Sequence, residues 1–191
     1  MKFRGKILPC FLLSMAMFLF FNRTLFAQNL NKKIHLSTCR KLFDNFHAVE
    51  SGKLYRSKQL SSKNLNRYIK KLGIKTIVNL RGKNEDKDWW QQEKNITDEN
   101  NICLFNISMN SNLNPTPKQI KKLLNIYQNA PKPILIHCRS GVDRSGEAAA
   151  LWVLNQQKKE KTQALKQLSL KYGYLKWFHP AKKQFIKNFK N

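Results

Sequence analysis

The sequence predicts an α/β fold: a central parallel or mixed sheet of four to five strands flanked by helices. Three observations lead there. Apolar, β-branched runs alternate along the chain with segments of helical period. Two of those runs, Ile74-Lys75-Thr76-Ile77-Val78-Asn79-Leu80 and Pro133-Ile134-Leu135-Ile136-His137, are too apolar to lie half-exposed, which calls for helices on both sheet faces. The second run also passes through a glycine-containing loop directly into an alanine-rich helix, and sheets of this kind place their sites at the carboxyl ends of strands.

The chain opens with Lys2, Arg4 and Lys6, then an apolar run from Ile7 to Phe21 and a small-residue exit at Ala27. That order of basic, apolar and small residues is the pattern of a secretory signal. The run is shorter than the ~20 residues that span a bilayer comfortably, so cleavage after Ala27 and retention as an N-terminal membrane anchor both stay open. Either outcome sends the remainder across the cytoplasmic membrane, periplasmic or secreted, or tethered by residues 7–21. The expected organisation is residues 1–27 as signal or anchor and residues 28–191 as one domain, since no repeat or Gly/Ser linker divides the latter.

Within that domain, Leu54-Tyr55-Arg56-Ser57 reads as a short strand. Ser61-Ser62 then offers an N-cap for a helix to Leu72, stopped by Gly73. The strand through Ile77 ends at Arg81-Gly82, and the polar stretch with Trp89 and Trp90 predicts a helix toward Asn101. A strand follows over Ile102 to Ile107. From Pro117 to Ala130 the spacing of Ile120, Leu123, Leu124 and Tyr127 marks one helical face. After the strand ending at His137, helices are expected from Arg144 to about Gln157 and from about Lys161 to Lys171, with a last amphipathic segment from Pro180.

Composition narrows the partners. The 191 residues include 36 Lys+Arg against 11 Asp+Glu, a formal charge of +25, while 12 Phe, 5 Tyr and 4 Trp supply material for a core and exclude a disordered or collagen-like chain. Such charge attracts anions in general: lipid head groups, phosphorylated sugars, phosphoproteins or nucleic acid. From Lys158 to Lys190, lysines crowd around the single acid Glu160. A solvated helical surface is the plainer reading, and a dedicated lipid or nucleic-acid face, the former meeting an anionic membrane surface, is the sharper one.

The chemistry concentrates in His137-Cys138-Arg139-Ser140-Gly141-Val142-Asp143-Arg144-Ser145-Gly146. A strand, a loop with a central glycine and a helix start form an anion cradle, whose amides and helix dipole converge on an oxyanion. The same field, with Arg144 beside it, favours the thiolate of Cys138, the nucleophilic form. Arg144 can grip two phosphate oxygens with its planar fork.

These residues resemble the signature of the cysteine-dependent protein tyrosine phosphatase superfamily: His-Cys, five residues, Arg, then Ser or Thr. His137, Cys138, Gly141, Arg144 and Ser145 match it, whereas Cys10, Cys39 and Cys103 carry Ala16, Asn45 and Met109 at the sixth position. Tyr55-Arg56-Ser57 and the Gly73 to Leu80 strand look like the compact atypical dual-specificity branch, so the resemblance covers about residues 50–160. It implies a strand–P-loop–helix active site in which residues 139–144 cradle the phosphate. Cys138 would attack phosphorus, Arg144 would hold the equatorial oxygens, Ser145 would assist departure of the sulfur, and His137 would brace the loop. It implies no metal or other cofactor. The implied partners are phosphorylated proteins, with phospholipids and envelope glycan phosphates as alternatives; nucleic acid is not expected.

One departure stands out. The resemblance implies an Asp general acid some tens of residues before the cysteine, yet no Asp or Glu occurs from Asn100 through His137. Asp143, inside the loop, is the first candidate, with a helix-start carboxylate that merely caps local N–H groups as its bland alternative. Asp86, Asp88 and Asp98 are the reserves. Arg81, at a strand end, either receives an anionic substrate or is simply solvated; Trp89 and Trp90 either line a substrate wall or pack into the core. Cys39 and Cys103 either form a disulfide or stay unpaired. Two other activities compete: a sulfurtransferase, whose shorter loop fits this spacing poorly, and a phosphate-binding module without turnover.

Overall fold

The computed structural model describes residues 43–190. The proposed signal or anchor at residues 1–27 and Cys39 lie outside that range. Among the described residues, no helix is long and apolar enough to cross a membrane.

Five strands form one mixed sheet in the order β1-β2-β5-β3-β4. They are β1 (His47–Glu50), β2 (Leu54–Lys58), β3 (Thr76–Asn79), β4 (Cys103–Asn106) and β5 (Ile134–Cys138). β1 pairs antiparallel with β2 through a register shift between Ala48 and Glu50, and every other pairing is parallel. The edge strand β1 has no counterpart in the sequence reading. Its four residues, His-Ala-Val-Glu, lack an apolar run, and it exists because β2 offers it an edge.

The parallel pairs require crossover helices, and the chain supplies them with clear boundaries. α1 (Ser62–Leu72) starts where the Ser61 side chain accepts from the Asn64 N–H and stops at Gly73, whose φ of 63° is left-handed. α2 (Asp88–Glu99) joins β3 to β4, and α3 (Pro117–Asn129) opens with a capping box between Thr116 and Gln119. α4 (Asp143–Asn155) follows β5 directly. The helix expected from Lys161 to Lys171 ends early: α5 covers only Lys161–Leu165. The chain then turns through a 3₁₀ segment, Leu170–Tyr172, closed by left-handed Gly173 at φ 80°. α6 (Pro180–Asn188) ends the described chain.

Alternation along the strands sorts side chains onto two faces. Tyr55, Ile77 and Leu135 pack with Leu65, Ile69 and Ile96 of α1 and α2. Leu54, Val78 and Ile136 pack with Leu123, Tyr127, Leu151 and Trp152 of α3 and α4. Helices therefore cover both faces, as the apolar strands require. β5, the last strand in sequence, sits between the earlier strands β2 and β3, so its carboxyl end opens at the point where strand order reverses.

Candidate active site

β5 ends in Cys138, 1% exposed, and α4 begins at Asp143 with no side-chain cap on its first turn. Between them the loop takes its shape from tethers on its carbonyls. The Gln59 N–H donates to the Arg139 carbonyl at 3.3 Å. Asn45 Nδ2 donates to the carbonyls of Ser140 and Gly141, each at 3.1 Å. Arg56 donates to the carbonyls of Gly141 at 2.9 Å and Val142 at 3.0 Å. With these carbonyls engaged from outside, the amides of Gly141 and Ser145 face the Cys138 sulfur. Gly141 is required twice over: its φ is +75°, and a Cβ would lie 2.5 Å from the Lys58 nitrogen and 2.7 Å from the Ser57 carbonyl carbon.

Arg56 was not singled out as a site residue by the sequence, yet it organises the loop. It is wholly buried, donates also to the Gln167 carbonyl at 2.7 Å, and lies 4.3 Å over the Tyr172 ring. Burial lowers its pKa to about 10 against the support of Cys138 and Tyr172, so it stays cationic at neutral pH. The legible signal was an arginine inside an otherwise buried strand, where a charge persists only with dedicated partners.

The predicted reacting groups come together. Ser145 Oγ stands 3.5 Å from Cys138 Sγ. Burial pushes the thiol pKa up, but the Ser145 hydroxyl and amide, the Arg144 charge and the Gly141 amide outweigh it and bring it below the ordinary value. Arg144 donates to the carbonyls of Leu80 at 3.4 Å and Met109 at 3.3 Å, which fixes its fork beside the carboxyl end of β3.

His137 braces the site in a direction of its own. Its Nε2 meets the Glu93 carboxylate of α2 at 3.0–3.1 Å, with both side chains buried, and makes no bond to the loop. Glu93 also accepts from Gln59 Nε2 at 2.7 Å, Gln59 Oε1 accepts from Arg81 at 3.1 Å, and Arg81 stacks 3.5 Å over the Trp89 ring. Trp89 is thus a platform for Arg81, while Trp90 packs into the structure and donates to Asn106 at 3.1 Å. Burial, then repulsion from Arg144 and Arg139, lowers the Arg81 pKa.

Of the four candidate acids, only Asp143 belongs to the loop. Its Oδ1 is buried without a partner among the described residues, and its Oδ2 is 3.7 Å from His179 Nε2. Burial raises its pKa despite the opposing pull of His179, Lys182 and Arg144. Asp86 is exposed and paired with Lys87 at 2.6 Å, Asp88 is exposed at the start of α2, and Asp98 is exposed at its far end, paired with Lys94. Beneath the loop, Glu147 of α4 and Lys182 of α6 form a fully buried ion pair at 2.8 Å. Burial outweighs the pull of Lys182 and moves Glu147 up to about 7. Cys103 is an exposed free thiol on β4, and its suggested partner Cys39 lies outside the described residues. Among the described residues, no group of three His, Cys, Asp or Glu side chains is placed to share a metal ion.

Comparison with known proteins agrees with this geometry. The family model described as "DSP-PTPase phosphatase fused to NAD+ Kinase" matches residues 32–185. Among solved structures, the core catalytic domain of the PP-IP phosphatase SIW14 from S. cerevisiae is 25% identical, with a TM-score of 0.63, over 77% of this chain and 86% of that one. TpbA from P. aeruginosa is 19% identical, with a TM-score of 0.61, over 76% and 85%. A TpbA variant in complex with pTyr is 20% identical, with a TM-score of 0.61, over 76% and 84%. No curated protein sequence matches the chain.

Proposed function

The chain belongs to the family of DSP-PTPase phosphatases fused to NAD+ kinase, and from that premise we propose that it hydrolyses phosphomonoesters of the protein tyrosine or dual-specificity type beyond the cytoplasmic membrane. The observation that carries the reaction is the tethered loop, with Cys138 under its amides and Arg144 at its mouth. The Cys138 thiolate attacks phosphorus, the bond to the leaving oxygen breaks, and Asp143 hands that oxygen its proton. Water then attacks the phosphocysteine, phosphate departs, and the Ser145 hydroxyl stabilises the returning thiolate. The basic, then apolar opening at Lys2 to Phe21 supports delivery across a membrane.

A second reading of the substrate rests on the arginine mouth. Gln59 accepts from the Arg81 guanidinium and its N–H donates to the Arg139 carbonyl, and the Arg139 and Arg144 charges both act on Arg81. That arrangement favours a substrate carrying a second phosphate, and SIW14, described as a PP-IP phosphatase, is similar in fold.

The test is hydrolysis of nitrophenyl phosphate by the full chain, reduced and with chelator. Cys138→Ser is expected to lose at least about three orders of magnitude. Unchanged binding of phosphate with no turnover in the folded wild type would instead indicate a binding module. The ratio of kcat/KM for a bisphosphorylated and a monophosphorylated substrate, and its fall in Arg81→Ala, separates the two substrate readings.

A further inference from the structure

Large apolar side chains are concentrated in one exposed turn beside the phosphate loop. Five are exposed among the described residues, and three of them, Leu170, Trp177 and Phe178, at 72%, 67% and 67%, belong to the turn between α5 and α6. The turn is no loose tail. Tyr172 and Tyr174 are buried beneath it, the Tyr174 N–H donates to the Ser169 carbonyl at 3.1 Å, and the Tyr174 hydroxyl bonds the His179 carbonyl. With both tyrosines pointing inward as anchors, Leu170 and Trp177 border a groove of about 530 Å³ on the outside.

The charges around that groove all have one sign. Lys171, Lys176 and Lys183 line it, and Lys171 and Lys183 sit 5.4 Å and 5.6 Å over the rings of Tyr172 and Tyr174. From Lys161 to the C-terminus the chain holds no Asp or Glu at all. Exposed tryptophan, phenylalanine and leucine ringed by lysine stems are what a surface needs to enter a headgroup boundary while its ammonium groups remain among phosphates. An apolar patch this concentrated on a basic rim is out of place facing water alone.

We infer that the turn Ser169–Phe178 is a docking face for an anionic lipid bilayer: Leu170, Trp177 and Phe178 enter the interface, and Lys171, Lys176 and Lys183 meet the head groups. This face goes beyond the phosphatase reading and does not depend on it. Its consequence does: Gly173 lies against Val142, and His179, the next residue after Phe178, faces Asp143, so docking sets the phosphate loop beside the lipid surface.

The experiment is hydrogen–deuterium exchange on the full chain with phosphatidylcholine vesicles, with and without about a third phosphatidylserine. Residues 170–178 are expected to gain protection on the anionic vesicles and none on the neutral ones. Trp177→Ser with Phe178→Ser is expected to abolish that local protection and Lys171→Glu with Lys176→Glu to weaken it at least about 10-fold in lipid concentration, while nitrophenyl phosphate hydrolysis in solution stays at the wild-type rate. Protein that binds the vesicles with exchange at 170–178 unchanged, or protection insensitive to both pairs of substitutions, would overturn the docking face. So would protection by an acidic phosphopeptide and not by lipid. Loss of hydrolysis in the wild type would fail the phosphatase reading alone.

Discussion

In the proposed reaction, Asp143 is the acid that protonates the leaving oxygen. Its pKa is raised by burial, so it keeps its proton to higher pH than an exposed carboxyl, while the Cys138 thiol is brought down by Ser145, Arg144 and the Gly141 amide. The signs give a bell: kcat/KM rises with pH as Cys138 ionises and falls as Asp143 loses its proton. Asp143→Asn is expected to remove the alkaline fall and to slow an alkyl phosphate about 100-fold or more, leaving nitrophenyl phosphate nearly unaffected. Equal losses on both substrates would make Asp143 a part of the loop architecture. Gly141 is a second decisive residue. Gly141→Ala must both strain a φ of +75° and push a Cβ into the backbone of Ser57 and Lys58, so it should displace the loop. Steady-state kinetics should show kcat/KM down at least about 100-fold with the far-UV spectrum of the native fold retained.

At the scale of elements, the site is an agreement between β2 and the start of α4. Arg56 reaches out of β2 to the loop carbonyls and the Gln167 carbonyl, and no other side chain offers a planar fork at that place. Arg56→Lys keeps the charge but loses the geometry. It is expected to cost about 2–3 kcal/mol in urea unfolding and to lower kcat more than it raises KM; wild-type stability and rates would show that the loop holds itself. Much of this architecture was legible in the sequence. Ile134 to Ile136 and Ile77-Val78 carry a buried-strand pattern, Ser61 and Gly73 mark the ends of α1, and the spacing from Cys138 to Arg144 marks the loop between β5 and α4. Three things were not legible, for physical reasons. β1 has no apolar run because it is an edge strand held by pairing. α5 stops at Leu165 because tertiary burial of Leu168, Tyr172 and Tyr174 overrides a continuous lysine-rich period. The contacts that give Asn45, Arg56 and Glu93 their loop partners span 34 to 111 residues of chain, which no local pattern encodes.

Across the whole folded unit, the C-terminal helix is fastened to the catalytic helix by one buried pair. Lys182 of α6 meets Glu147 of α4 and also donates to the Asn110 carbonyl at 3.0 Å and to the Leu113 carbonyl. One ammonium thus joins α4, α6 and the segment after β4 that carries Met109, on whose carbonyl Arg144 rests. Removing one partner of such a pair leaves a charge uncompensated. Lys182→Met is expected to destabilise by about 3–5 kcal/mol in urea unfolding, and Lys182→Met with Glu147→Leu by much less; additive losses would show that the two side chains do not act together. The outward tethers on the loop carbonyls have a different kind of consequence. They hold the cradle ready before any guest arrives, so its grip answers to tetrahedral shape and charge and ignores whatever the phosphoryl group is attached to. Orthophosphate released in one turnover therefore competes with the next substrate, and the phosphate level of the surroundings acts as a brake on the enzyme.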